Sequence, residues 1–482
     1  MGDGGSKRQQ FDDAKFGLFV HWGAYAVGGI EASWPVMLGP ELQRRFIEAL
    51  HRLGAGEVEM PVKPVTLAEY EAFPQQMTAE RFDAAEWAEL ARDAGQHYLV
   101  LTTKHHDGFC LFDTDTTDYK TTNVPLGRDV VGEVAGACRD AGVGFGAYFS
   151  APDFHDDGYL DRSRPLPENF LGEPGRPEWA GFLDRMERQV EELCTEYGDL
   201  YSWWWDIGFG PQWDIERFHG RVRKHQPDIL MNDRLGGLAT TVAPELRADF
   251  LTPEQAVPKA IPRWSTYPGP MDPTMLFSLI QQDNWEELLE QIAPVIRPHF
   301  ESAPDPSVPD DDDFLPWEAC MTFGGQWAWN PDLENPGLER CKTGADVITD
   351  LVEVASRGGN LLMNVGPRGD GSIQPEFQDA LREVGRWLDV NGEGIHGTTF
   401  GPVQGQDDVR TTANDDHVFV HVLPSSSGRV RVEGLAAHVT ASPARALAAD
   451  ADLAVEIEGD AVVVDLGRTP RDPVMTTLRL AR

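Results

Sequence analysis

Ser202-Trp203-Trp204-Trp205-Asp206-Ile207-Gly208-Phe209 sets three indole side chains directly before one carboxylate and a glycine. A short apolar run that ends in a polar residue reads as a buried strand delivering its last side chain to an edge of a sheet. Aromatic faces suit the apolar C–H face of a sugar ring, and a carboxylate at a strand end suits attack on an anomeric carbon. A buried aromatic strand whose aspartate only opens the next turn fits these eight residues equally well. The decision falls to the rest of the chain.

The same order, apolar first and polar last, recurs on both sides. Upstream stand Phe16-Gly-Leu-Phe-Val-His-Trp-Gly23, Tyr98-Leu-Val-Leu-Thr-Thr-Lys-His-His-Asp-Gly108 and Gly144-Phe-Gly-Ala-Tyr-Phe-Ser150. Downstream stand Ile229-Leu-Met-Asn-Asp-Arg234, Ala248-Asp-Phe-Leu-Thr-Pro-Glu254, Trp317-Glu-Ala-Cys-Met-Thr-Phe-Gly324 and Gly358-Gly-Asn-Leu-Leu-Met-Asn-Val-Gly-Pro367. Between them apolar residues fall at helical spacing, predicting helices at 40–53, 78–94, 129–141, 178–197 and 215–224, one capped by Thr343, and one from Pro375 to Gly392. Eight strand-like segments separated mostly by helices imply a parallel sheet covered by helices. The expected fold class is α/β, a (β/α)8-type barrel over residues 1–396 with its site at the carboxyl ends of the strands. No Gly-x-Gly-x-x-Gly turn follows the first strand, which argues against a doubly wound open sheet.

Residues 255–313 break the rhythm. They are proline-rich, hold a helical pattern at 275–292 and end in a solvated run, Asp310–Asp313; they read as an insertion. Beyond Gly397 the texture turns to short alternating β-branched runs, as in His417–Leu423, Arg429–Glu433 and Ala461–Leu466. Residues 397–482 are therefore expected to form a small β-sandwich domain.

The formal charge of −38 excludes ordinary nucleic-acid binding, because an anionic surface repels phosphate. Only 8 Lys stand against 33 Arg and 79 acidic residues, a balance that suits solubility at very high salt and points to a halophilic source. Five scattered cysteines without a Cys-x-x-Cys pair argue against a disulfide framework and a zinc site. No signal peptide is visible in the polar start, and no run of about twenty apolar residues would span a membrane. The expectation is a cytoplasmic protein without metal or cofactor; homo-oligomerisation is left open.

Taken in order, Phe16–Gly23, Thr103-Lys-His-His-Asp-Gly-Phe109, Trp204-Trp-Asp206, Asn232-Asp-Arg234, Thr252-Pro-Glu254 and Gly358–Gly371 resemble the motifs of the glycoside hydrolase family 29 α-L-fucosidases. The resemblance runs from about Phe16 to Gly397, and the tail resembles the β-sandwich of those enzymes. It implies a retaining exo-glycosidase that removes terminal α-L-fucosyl residues from a fucosylated oligosaccharide or glycoside. Asp206 would be the nucleophile and Trp204 would lie against the sugar. His21, His105, His106, Tyr148 and Arg234 would bind its hydroxyls, and Trp34 and Trp317 would contact substrate. For the acid/base, Glu254 is preferred and Glu318 is the alternative, both at ends of strand-like segments.

Two departures stand out. Ser33 precedes Trp34 where the family often has glutamate, the nearest acid being Glu31, and Ile207-Gly208 follows Asp206 where glycine would follow directly. Competing readings are a carbohydrate-binding protein without turnover, a glycosidase for a related sugar such as L-galactose, and a zinc hydrolase built on His105 and His106. The last is disfavoured by the lack of further ligands nearby in sequence.

The charge balance generates a prediction: the melting temperature rises between dilute buffer and molar salt as self-repulsion is screened. An unchanged value would remove the halophilic reading.

Overall fold

The computed structural model describes residues 6–37, 44–45, 48–49, 52, 65–161, 163, 172–208, 212–236, 246–265, 284–287, 289–290, 307–331, 341–426 and 428–482. Seven parallel strands form the main sheet: β1 (Phe16–Val20), β2 (Tyr98–Lys104), β3 (Gly144–Ser150), β4 (Ser202–Asp206), β5 (Leu230–Met231), β6 (Glu318–Thr322) and β7 (Asn360–Val365). Their order is β5-β4-β3-β2-β1-β7-β6. The gap between β5 and β6 is filled by Phe250–Glu254, which bridges in parallel to Asn232 on one side and to Trp317 and Cys320 on the other. Asp249 N donates to Met231 O (2.7 Å), Glu318 N to Leu251 O (2.8 Å) and Cys320 N to Pro253 O (3.1 Å). The sheet is thereby closed into an eight-membered barrel, which removes the exposed edges of an open sheet.

Strand alternation sorts side chains into two cores. Phe19, Tyr98, Val100, Tyr148, Trp204, Leu230, Phe250, Cys320 and Leu362 fill the interior. Leu18, Leu99, Leu101, Phe149, Trp203, Trp205, Met231, Trp317, Met321 and Met363 face the helices. Of the three consecutive tryptophans, only Trp204 points inward.

The amino end of the barrel is plugged by a helix the sequence reading passed over, Lys7–Ala14, whose Phe11 and Ala14 join the interior core. Asn360 Nδ2 donates to Phe11 O (2.8 Å) and buried Lys15 Nζ to Gly358 O (3.0 Å), tying the plug to β7.

The outer helices Val130–Ala141, Trp179–Glu196, Ile215–His225, Gly344–Ser356 and Pro375–Asn391 agree with the expected positions within one or two residues, whereas the helix expected at 78–94 is Ala84–Asp93, starting six residues later at its Asp83 cap. Asp83, Asp129 and Asp214 cap three of them, and Thr343 forms a reciprocal capping box with Asp346. The expected helix at 40–53 and the helix inside the insertion fall mostly outside the described residues.

Residues after Gly397 form two antiparallel sheets. One has six strands: Thr399–Phe400, Val409–Ala413, His417–Val422, Ala444–Ala446, Ala451–Leu453 and Thr476–Ala481. The other has three: Arg429–Val432, Val455–Glu458 and Ala461–Asp465. Val418, Val420, Val430, Val462, Val464 and Leu478 pack between them. The sandwich is docked on the barrel helices: Arg410 Nε pairs with Glu353, and Trp387 Nε1 donates to Met475 O (3.4 Å).

Gly385 marks the tightest helix approach, since a Cβ there would meet Asp93 O at 1.9 Å. Alanine favours a helix over glycine by about 1 kcal/mol, yet a backbone oxygen cannot move aside and overpacking costs about 1–3 kcal/mol. Gly385→Ala therefore lowers the melting temperature; an unchanged or raised value would refute the contact.

Candidate active site

Asp206 is the last residue of β4, 8% exposed at the carboxyl end of the barrel. Tyr148 OH donates to its Oδ2 (2.6 Å) and Arg234 Nη1 to its Oδ1 (3.2 Å), while its own chain contributes Ile207 N (3.0 Å). Ile207 holds φ at +48°, a left-handed conformation that glycine adopts freely and a β-branched residue does not. That accounts for the departure after Asp206. The position calls for glycine, and isoleucine takes it at a cost of about 1–3 kcal/mol while still aiming its amide at the carboxylate.

Arg234 is held by Thr252, with Nε on Oγ1 (3.0 Å) and Nη2 on the carbonyl (3.1 Å), and its guanidinium lies 4.7 Å over the Trp204 ring. Burial opposes its charge, but Glu254 and Asp206 outweigh that and hold the guanidinium above its ordinary range. The Nη1 that reaches Asp206 also donates to Glu254 Oε2 at 2.9 Å. One oxygen of each carboxylate thus sits on one nitrogen, which bounds their separation at about 6 Å. That upper limit on one pair of oxygens is compatible with the roughly 5–5.5 Å spacing of retaining glycosidases.

Glu254 follows Pro253 at the end of the closing segment, with its side chain 41% exposed at the mouth. Gln255 takes φ +52°, and its amide pairs with Thr322, donating to Oγ1 (2.9 Å) and accepting from N (3.1 Å). This anchors the chain beyond Glu254 to the end of β6. Glu318 is placed differently. It opens β6 inside the barrel at 1% exposure, taking Trp204 Nε1 on Oε1 (3.0 Å) and Tyr98 OH on Oε2. Burial pushes its carboxyl up to about 7.

Three imidazoles line the opposite wall. β2 ends at Lys104, so His105 and His106 are freed from strand alternation and their rings lie 4.0 Å apart. His106 Nδ1 meets Ser150 Oγ (2.6 Å), whose hydroxyl proton goes to Pro152 O (3.0 Å); Nδ1 therefore carries the ring proton. Its Nε2 is left as an acceptor 3.7 Å from Asp206 Oδ2. His21 Nδ1 meets Asn364 Oδ1 (2.7 Å), and Asn364 Nδ2 donates to Trp327 O (2.7 Å), so His21 likewise presents Nε2 as an acceptor. Burial drives His21 down to about 3, His106 to about 4 and His105 well below its usual range. Neutral imidazoles that accept are matched to hydroxyl donors. Lys104 does not join them; it is buried behind, on Asp153 Oδ2 (3.3 Å) and Gln189 Oε1 (3.2 Å).

Trp34 and His106 meet edge to face with ring centroids 5.9 Å apart, and Ser33 Oγ bonds His105 Nδ1 (2.6 Å). The carboxylate of Glu31 is spent on Trp327 N (2.7 Å) and Ala328 N (3.3 Å), and burial pushes it up to about 7. Trp317 does not reach the cleft. Adjacent to inward-facing Glu318, it points outward, packs on Gly359 and donates Nε1 to Arg357 O (3.1 Å).

Sequence reasoning missed Trp327, 4.9 Å from His21, and Asn364. The signals were there: an aromatic after the Gly324-Gly325 turn beyond β6, and two asparagines four apart, Asn360 and Asn364, on one face of an apolar strand. Among the described residues, no three or more His, Cys, Asp or Glu are grouped to hold a metal ion, and no helix is long and apolar enough to cross a membrane.

A closed barrel with two carboxylates meeting on one guanidinium, faced by aromatic rings and neutral imidazoles, defines a glycoside hydrolase. The alpha-L-fucosidase family model matches residues 4–270 and 271–393, and the chain belongs to that family. Alpha-L-fucosidase isoenzyme 1 from Paenibacillus thiaminolyticus is 30% identical, covering 98% of each chain with a TM-score of 0.74. The Thermotoga maritima alpha-fucosidase is 26% identical over 98% of this chain and 96% of its own, with a TM-score of 0.69. The tissue alpha-L-fucosidase of Rattus norvegicus is 28% identical over 427 residues, 86% of this chain and 75% of the relative.

The buried titratable groups set a pH dependence. His21, His105, His106, His219, His396 and His421 are all held below their ordinary value, chiefly by burial. The unfolded chain protonates them near pH 6.5 while the fold does not, so the stability they confer above that pH is lost on acidification. Glu31, Asp107 and Glu318, raised by burial to about 7, 6 and 7, act in the opposite sense, with smaller rises at Glu192, Asp233 and Asp249, but between pH 7 and 5 the histidines, which His97 joins, outweigh them. In molar salt, where self-repulsion is screened, the melting temperature falls from pH 7 to pH 5. A flat or rising trend would contradict the neutral histidines.

Proposed function

We propose that Asp206 and Glu254 carry out the hydrolysis of terminal α-L-fucosyl residues with retention, Asp206 as nucleophile and Glu254 as general acid/base. The observation that carries this reading is the Arg234 nitrogen shared by the two carboxylates. In the first step Asp206 attacks the anomeric carbon, the glycosidic C–O bond breaks, and Glu254 gives its proton to the departing oxygen. A fucosyl ester on Asp206 results. Glu254, now ionised, takes a proton from water as that water attacks the same carbon, and fucose leaves as Asp206 is freed.

Tyr148 and Arg234 fix the plane of the Asp206 carboxylate by a donor on each oxygen. His21 and His106 accept protons from sugar hydroxyls at Nε2, with His105 beside them, and Trp34, Trp204 and Trp327 supply aromatic walls. The exposure of Glu254 suits a group that must meet aglycone, then water. Buried thiols at Cys110, Cys138, Cys194 and Cys320 support a reducing, cytoplasmic setting.

Asp206→Ala folds but loses nearly all turnover, and azide restores part of the product by occupying the vacated space. Near wild-type activity in the folded variant would remove Asp206 from the role. Glu254→Ala slows a natural fucoside far more than an activated aryl fucoside and loses one limb of the pH profile. Equal slowing of both substrates would reassign the proton donor.

A further inference from the structure

We infer that Glu318 is a positioning residue: from inside the barrel it locks the Trp204 indole on which Arg234 and Tyr148 rest, and through them the Asp206 carboxylate. The inference rests on the reading of Asp206 as nucleophile. Glu318 reaches neither cleft nor solvent, at 1% exposure, and each of its oxygens is already used. Tyr98, on one oxygen, is immobile: its ring is stacked on Tyr201 at 4.6 Å and lies against Gly17, where even a Cβ would approach ring carbons at 2.4 Å. The carboxyl group therefore has one orientation, and Trp204 Nε1 on its other oxygen inherits it.

Two groups lie on or beside that indole. Tyr148 is stacked on it at 5.5 Å with planes 21° apart, and Tyr148 OH holds Asp206 Oδ2. The Arg234 guanidinium sits over the ring at 4.7 Å and holds Asp206 Oδ1 and Glu254. An indole N–H drawn toward a carboxylate oxygen leaves more electron density on the ring, which strengthens its attraction for a guanidinium on its face. Without Glu318, Trp204 Nε1 would be an unpaired donor in a sealed core, and the ring would be free to tilt.

The test compares Glu318→Leu, Glu318→Gln and Trp204→Phe, each checked for folding by its melting transition. Glu318→Leu is expected to lower kcat about 10- to 100-fold by the same factor on an activated aryl fucoside and a natural fucoside, with both pH limbs retained and no rescue by azide. Glu318→Gln, which keeps an acceptor for the indole, recovers kcat to within about threefold. Trp204→Phe also lowers kcat, and adding Glu318→Leu to it costs little more, because the bond is already gone.

Wild-type kcat in folded Glu318→Leu overturns the inference, as does full additivity with Trp204→Phe. Slowing confined to poor leaving groups with loss of a pH limb would make Glu318 the acid itself and also overturn it. If Glu318→Leu does not fold, Glu318→Asp, too short to reach both partners, carries the same comparison, and kcat within threefold of wild type overturns the inference. Failure of the nucleophile assignment is distinguishable, since it shows in Asp206→Ala and leaves the Glu318–Trp204 coupling intact.

Discussion

A guanidinium can be buried only where its charge is met and its donors are used, and Arg234 has both conditions satisfied by two separate stretches of chain. Trp204 and Asp206 come from β4, Thr252 and Glu254 from the segment that closes the barrel. The closing segment can occupy its place only because its backbone is bonded to β5 on one side and β6 on the other. Closure and catalytic geometry are therefore one constraint: loosening residues 250–254 would release the arginine, and with it the distance between the two carboxylates.

The barrel was legible because its signal is simple. Period-2 alternation fixes which side chains face inward, and the polar residue at each strand end marks the working rim. Where strands ended, the reading weakened. Strand alternation alone would set His105 and His106 on opposite faces; it was the family resemblance that assigned both to the sugar, and both enter the site because β2 stops at Lys104. Alternation misled in a different way at Trp317 and Glu318. Trp317 is expected at the substrate and Glu318 stands only as the alternative acid, but a residue at the amino end of a strand faces the sealed half of the barrel or the helices. The Lys7–Ala14 plug was hidden by its polar composition, since two residues, Phe11 and Ala14, carry its burial.

Both carboxylates proposed for the chemistry are followed by residues in the left-handed region, Ile207 and Gln255. Such a bend at the end of a strand turns the chain abruptly and presents the preceding side chain to the cleft with little freedom. The strain is local, and neighbouring bonds oppose its relief: Gly208 N to Arg234 O (2.8 Å) after the first, the Gln255–Thr322 pair at the second. Backbone strain of this kind clusters at active sites, where the surrounding structure over-determines it.

The plug and first strand are sealed by contacts with the seventh: His21 meets Asn364 across 343 residues of chain, and Lys15 meets Gly358 across the same interval. During synthesis from the amino end, β1 and the plug leave the ribosome long before their partner exists. Bringing ends so distant together costs only about 5 kcal/mol in loop entropy, but the waiting is a matter of time rather than energy. Until β7 emerges, one flank of β1 lacks its hydrogen-bonding partner, and the growing chain depends on its heavy load of negative charge to keep that edge from other nascent copies.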